Sequence, residues 1–402
     1  MSRSMTRRQM LGNAGAATAC ALLGIAKHAQ AAPRAEIHQT EVVSDQPQFY
    51  HGWPTIARRR NGQLLLVCSG GRETHVCPFG RVELMRSDDE GESWSWPRVL
   101  MDSGIDDRDA GVLETAQGTI LATTFTSLAY EPILTRAEKA ETGQSGAWPE
   151  DRLRRWRAAH RRLSAPQRQA ALGVWMVRST DGGVTWSQRY DCLVDSPHGP
   201  IQLSDGRLLY AGKDLWRAKR RVGVCESSDD GRTWRWLAEI PAREGDSHDN
   251  YHELHAVETA DGRLLVQIRN HNPANQGETL QCESADGGRT WSVPRPIGVW
   301  GLPSHLLRLH DDRLLMTYGH RRPPLGNQAR ISEDHGRTWS APIVVSGDGA
   351  SGDLGYPSTV QLDDGSLLSV WYEVLSGSPR AVLRQARWSI ADVTSPAGRS
   401  GL

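Results

Sequence analysis

The chain has 402 residues, 47 basic and 47 acidic side chains, a formal net charge of zero and a pI near 7.2. That balance leaves no basic face to hold nucleic acid or an anionic membrane, so nucleic-acid partners are set aside. Its 15 tryptophans against 3 phenylalanines are unusual, and internal repeats account for much of the excess.

The N-terminal segment Thr6-Arg7-Arg8-Gln9-Met10-Leu11 places two arginines ahead of a weakly apolar stretch, and Ala29-Gln30-Ala31 offers small residues for cleavage. Residues 1–31 therefore read as a twin-arginine signal peptide, which implies a periplasmic or secreted mature protein of residues 32–402. The apolar run from Ala14 to Ala26 is too short to span a bilayer, and no later run is longer. Beyond Cys20 the cysteines are Cys68, Cys77, Cys192, Cys225 and Cys282, an odd set with no C-x-x-C pair. They read as small core residues, and no disulfide framework, metal site or cofactor is implied.

Two patterns then recur along the chain. The first is a strand, a turn and a Leu-rich strand, at Ala57 to Val67, Val112 to Thr123, Ile201 to Ala211, Ala256 to Ile268, Leu306 to Tyr318 and Val360 to Trp371. Asp205-Gly206, Asp261-Gly262 and Asp364-Gly365 in three of these turns are strong hairpin signals. The second is an octapeptide, Ser-x-Asp-x-Gly-x-(Ser/Thr)-Trp, at Ser87 to Trp94, Ser179 to Trp186, Ser227 to Trp234, Ser284 to Trp291 and Ser332 to Trp339. Each octapeptide follows an alternating apolar run such as Val174-Trp175-Met176-Val177, the period of a half-buried strand, and so closes a second hairpin. Its Asp and Ser bond nearby amides, its Gly permits positive φ, and its Trp packs between neighbouring sheets in one repeated environment.

Four strands per repeat and six repeats predict an all-β fold, a six-bladed β-propeller of four-stranded antiparallel blades. The last repeat lacks the octapeptide; Val382 to Trp388 supplies its third strand, and the run Glu36 to Val43 completes the blade and closes the ring. Residues 128–172 lengthen the second repeat. They are rich in Arg, Ala, Glu and Leu, and Pro149-Glu150-Asp151 makes a helix start, so they read as a helical insertion in blade 2.

In such a blade both hairpin turns lie on one rim. Links from second to third strand, and from blade to blade, emerge on the opposite face around the channel mouth. That filter gathers His51, Arg72, Glu73, His75, Asp106, Arg108, Asp109, His198, His252, Glu253, Arg269, His271, His320, Arg321, Arg322 and Tyr356. Histidine, arginine, carboxylate and tyrosine converging on one mouth are the main chemical signal in the sequence.

The octapeptides resemble the Asp-box (BNR) repeats of the sialidase superfamily, and the similarity covers nearly all of residues 32–402. The resemblance implies an exported glycoside hydrolase, an exo-α-sialidase acting on glycans or glycoconjugates with an acidic terminal sugar. Glu253 and Arg269 match a Glu followed by a carboxylate-binding Arg; Arg321 or Arg322 matches a second such Arg; Tyr356 matches the catalytic Tyr of the final blade. A Tyr deprotonated by Glu attacks beside a carboxylate with less repulsion than an anionic nucleophile would meet, and guanidinium groups hold that carboxylate.

Two departures from the family pattern redirect the expectations. A Phe-Arg-Ile-Pro segment is replaced by His51-Gly52-Trp53-Pro54, so Arg72 or Arg108 is expected to stand in for the missing Arg. The acid/base Asp has no match near residues 70–80, where Glu73 and His75 are the candidate proton donors. Asp106 and Asp109 are assigned to a glycerol side chain or N-acyl group, and His51 and His252 to substrate binding. The surplus of histidines keeps open metal binding, a uronate-directed lyase using His and Tyr, and a non-catalytic glycan-binding propeller. Oligomeric state is not legible.

Overall fold

The computed structural model describes residues 32–44, 46–141, 143, 146–217 and 219–391. The expected signal peptide lies outside these residues.

Six four-stranded antiparallel sheets follow one another along the chain. Their first strands are Tyr50–Arg58, Asp106–Glu114, Ile201–Gln202, Tyr251–Glu258, Ser304–Arg308 and Leu354–Gln361. These line a central cavity of about 360 Å³, while the fourth strands lie on the outside. Leu-rich second strands such as Leu64–Arg72 and Leu264–Asn270 are buried on both faces, because neighbouring blades pack against each side of every sheet. The sixth blade is built from both ends of the described chain. Arg34–Val42 pairs antiparallel with Ala381–Ala391, from Arg34 opposite Ala391 to Val42 opposite Arg384.

The octapeptide turns repeat almost atom for atom. Ser87 Oγ donates to Asp89 at 2.7 Å and accepts from Gly91 N–H at 2.8 Å, while Asp89 accepts from Ser93 N–H at 2.9 Å. The same bonds recur at Ser179, Ser227, Ser284 and Ser332. The tryptophans are less uniform than the sequence implies. Trp291 is buried, the other four are half-buried, and four of the five indole N–H groups find one of two kinds of partner, while that of Trp234 has none among the described residues. Trp94 and Trp339 reach Gln385 and Gln281 on the preceding blade at 2.9 and 3.1 Å, whereas Trp186 and Trp291 bond their own turn at Gly183 and Gly288. Trp291→Ala should therefore lower the unfolding free energy by about 3–5 kcal/mol, and Trp186→Ala by clearly less. Urea titration checks this; equal losses would mean that burial does not set the contribution.

Between the second and third strands of blade 2 lie three helices: α1 (Glu131–Lys139), α2 (Glu150–His160) and α3 (Ala165–Ala170). Pro149 caps α2, with Glu150 and Asp151 in its first turn, where carboxylates favour the exposed N–H groups. Trp156 is fully buried among Tyr130, Leu134, Leu153, Cys77 and Ile105, and its ring meets Phe79 edge-on at 6.0 Å. The insertion thus packs on the link between the second and third strands of blade 1, on the mouth face. Among the described residues no helix is long and apolar enough to cross a membrane.

Candidate active site

Four first strands carry the same local distortion at their mouth end. Trp53, Asp109, Glu253 and Tyr356 all have positive φ, between 42° and 54°, and each sits at a break in strand register. A non-glycine residue costs about 1–2 kcal/mol in that conformation. Held strain of this kind clusters where a side chain must be aimed, and here it projects four side chains from blades 1, 2, 4 and 6 into one cup.

At its centre Tyr356 Oη donates a short hydrogen bond to Glu253 Oε1. Arg269 Nη1 donates to Glu253 Oε2 at 2.5 Å and to Tyr356 Oη at 3.1 Å, while its Nε donates to His271 Nε2 at 2.7 Å. Arg321 lies over the Tyr356 ring at 5.8 Å, steadied by its Nε bond to Leu354 O. Burial alone would raise Glu253, but the Arg269 charge and the hydrogen bonds from Tyr356 and Arg269 outweigh it and hold the carboxyl below its usual range. Burial, then the Glu253 charge, push Tyr356 well above the ordinary phenol value. The resting pair is thus a carboxylate accepting from a neutral phenol.

Beside this centre stands a second polar cluster. His75 Nδ1 is 2.9 Å from Asp353 Oδ1, and the hydroxyls of Tyr50 and Tyr372 donate to Asp353 at 3.0 and 3.1 Å. The His75 ring meets Trp53 edge-on at 4.9 Å, and Trp53 meets Tyr356 at 6.4 Å. With Nδ1 bonded to Asp353 and Tyr50, Nε2 is the ring nitrogen without a hydrogen-bond partner among the described residues. On the opposite side Asp109 is pushed up to about 7 by burial and then by the Glu253 charge. Asp195 is raised by burial and by Asp109 and Glu253. Both shifts favour the protonated carboxyl, which can donate a hydrogen bond beside an acceptor. His252, depressed to about 4 chiefly by burial, packs edge-on against His271 at 5.1 Å.

Several expected site residues are not in the cup. Arg72 and Asp106 are fully buried and bonded to each other at 2.7 and 3.1 Å, beneath Trp53. Both are sealed from solvent and spent on each other, so neither presents a free group to the cup as expected for a substrate-binding residue. His51 is buried too, with Nε2 3.6 Å from Glu83. Glu73 spends both carboxylate oxygens on Arg152 and Arg155 of α2, at 2.5 and 3.2 Å. Arg322 turns outward over Trp300 at 5.1 Å, which leaves Arg321 as the second arginine of the site. Arg108 stacks on Trp53 at 4.5 Å and donates to His75 O at 3.3 Å. His198, expected at the mouth, lies in the channel wall against His255 and His305, with all three depressed by burial. Among the described residues no group of His, Cys, Asp or Glu is spaced to hold a metal ion.

The sequence reading missed Asp353, Tyr50, Tyr372, Trp53 and Asp195. Asp353 stands three residues before Tyr356 and Asp195 three before His198, each in an inter-blade link already singled out, so proximity to those segments was the available signal.

Residues 147–368 match the model of the BNR repeat-like domain family. A stretch of 248 residues is 24% identical to a sialidase of Micromonospora viridifaciens, covering 51% of this chain and 35% of that protein. Another of 131 residues is 27% identical to an exo-alpha-sialidase of Aspergillus fumigatus, covering 32% of this chain and 30% of that protein. The matched stretches thus span about a third of these relatives. Among solved structures, a protein of unknown function from Dyadobacter fermentans superposes with TM-score 0.70 at 23% identity, over 89% of this chain and 99% of that one. The intramolecular trans-sialidase of Ruminococcus gnavus gives 0.59 at 14% identity, over 89% and 97%. Likenesses at this identity establish the fold.

Proposed function

Because the chain belongs to the BNR repeat-like family, as a BNR-repeat propeller of the sialidase superfamily, we propose that it is a glycoside hydrolase releasing a terminal α-linked sialic or related acidic sugar. The observation that carries this is the triangle of Tyr356, Glu253 and Arg269, in which one guanidinium bridges the phenol and the carboxylate that accepts its proton.

Arg269 and Arg321 hold the substrate carboxylate and so fix the anomeric carbon over Tyr356. Tyr356 Oη attacks that carbon as its proton passes to Glu253, and the glycosidic bond breaks. His75, oriented by Asp353, protonates the departing oxygen from Nε2. In the second half His75 takes a proton from water, which displaces the sugar from Tyr356, and Glu253 returns its proton to the phenolate. Trp53 occupies the ground beside Gly52, where a Cβ would come within 3.1 Å of the Tyr50 ring. A longer side chain at position 52 would need the Tyr50 ring to give way. Asp109 and Asp195 are suited to hydroxyl or amide groups elsewhere on the sugar. The Arg7-Arg8 pair, read as a twin-arginine leader, is consistent with action in the periplasm or outside the cell.

The test is incubation with aryl and glycan α-sialosides and other acidic glycosides, with products weighed. Hydrolysis adds one water; an unsaturated product would transfer the reading to a lyase, and binding without turnover to a glycan-binding propeller. Replacing the donor separates the steps when kcat/KM is read, since it reports only the steps up to cleavage of the glycosidic bond: His75→Ala should lower it about 10²–10⁴-fold for a sugar leaving group, while a good aryl leaving group, which needs no proton, loses far less. Equal losses on both would remove His75 from the acid role.

A further inference from the structure

Beside the cup lies a second cavity of about 420 Å³, lined by five arginines and two carboxylates, within the 300–1,000 Å³ range of small-ligand sites. Resting on the hydrolase reading, we infer that this cavity is a subsite for an oxyanion carried on the leaving-group side of the substrate, a sulfate, phosphate or carboxylate on the penultimate sugar.

Position argues for the leaving-group side. The proton donor must stand at the glycosidic oxygen, so the aglycone lies beyond His75. The cavity begins there: Glu73, two residues before His75, is in its wall, and its floor at Arg72 is 4.8 Å from the Trp53 ring that His75 touches. Its other walls come from inter-blade and second-to-third-strand links on the same mouth face and from α2 of the insertion.

Charge argues for the oxyanion. Arg72 is spent on Asp106, but Arg81, Arg155 and Arg162 are 33%, 51% and 41% exposed, and Arg380 is half-buried beside them. The two carboxylates are engaged: Glu73 by Arg152 and Arg155, and Asp102 by Arg162 at 3.6 Å. Arg81 gives Nε to Glu83, and Arg380 gives Nη1 to Glu73 O at 2.8 Å. Among the described residues neither Nη group of Arg81, nor Nη2 of Arg380, has a hydrogen-bond partner. Guanidinium forks of this kind match tetrahedral and planar oxyanions. Phe49 and Phe79 add apolar walls against which a pyranose ring can lie.

Calorimetric titration of the full chain with galactose 6-sulfate, galactose 6-phosphate, galacturonate, galactose and inorganic sulfate tests this without any turnover. At least one anionic sugar should bind at least about tenfold more tightly than both galactose and sulfate, weaken in high salt, and lose about tenfold in Arg380→Gln and Arg155→Gln. Which of the three binds identifies the group. Melting temperatures within the wild-type range and unchanged hydrolysis, by these variants, of an aryl sialoside whose aglycone is uncharged would show that the loss is local. Binding no tighter than sulfate alone, or unaltered in both variants, would overturn the subsite. Absence of all hydrolysis with variant-sensitive binding would instead overturn the hydrolase reading and leave the anion site in place.

Discussion

Tyr356→Phe is expected to lower turnover of an aryl sialoside at least about a thousandfold, because in the proposed mechanism it deletes the one atom that bonds to the anomeric carbon. Substrate capture should change little. Arg269 keeps its ion pair with Glu253, and Arg321 keeps the ring beneath it. The loss should therefore fall on kcat, with the affinity for a non-hydrolysable acidic sugar within a few-fold of wild type. Stopped assays with product quantified by mass give the first number and calorimetry the second. Activity within about tenfold of wild type would exclude Tyr356 as nucleophile. Loss of binding in parallel with turnover would mean that the hydroxyl serves mainly to hold the arginine.

The second large effect concerns stability. Arg72 and Asp106 face each other with no exposure to solvent, and Arg72 also donates to Ser69 Oγ and to His75 O. Removing one member of a buried pair costs about 3–5 kcal/mol, here at most that, since Asp106 would keep Arg108 at 3.5 Å. Arg72→Met should unfold at correspondingly lower urea, while adding Asp106→Leu should recover much of the loss, since apolar replacements of both partners are often tolerated. A double variant as unstable as the single one would show that Arg72 contributes through His75 O and Ser69 and not through Asp106. Because Arg72 anchors the His75 backbone, activity should stay impaired in the double variant even where stability returns.

This pair also marks the limit of what the sequence discloses. Blade number, octapeptide geometry and closure by the N-terminal strand are written in short, repeated segments whose partners lie within one hairpin or recur at fixed offsets. Glu253, Arg269 and Tyr356 were legible for a related reason, since each stands at a fixed place in its own blade. What topology supplies is the end of a strand on which a residue falls; depth within the wall is a separate matter. His51, Arg72 and Asp106 all lie at the mouth end yet are sealed beneath Trp53 and its neighbours. His75 and Asp353, by contrast, are joined across 278 residues of chain, and no local pattern announces a partner at that separation. The raised Asp109 and Asp195 are likewise a product of three blades converging, not of their own segments.

Closure of the sixth blade has a temporal side. Among the described residues Arg34–Val42 is the earliest strand along the chain, and Ala381–Ala391, its ladder partner there, is the latest. Throughout synthesis the leading strand is an open edge, and the ring becomes continuous in a single late event of very high sequence separation, the kind of contact that slows folding and exposes intermediates to aggregation. A circular permutant that joins the two strands as an ordinary hairpin, with new ends in an exposed turn of another blade, would turn that long-range step into a local one. Such a chain should refold faster than the natural order without any change in the mouth.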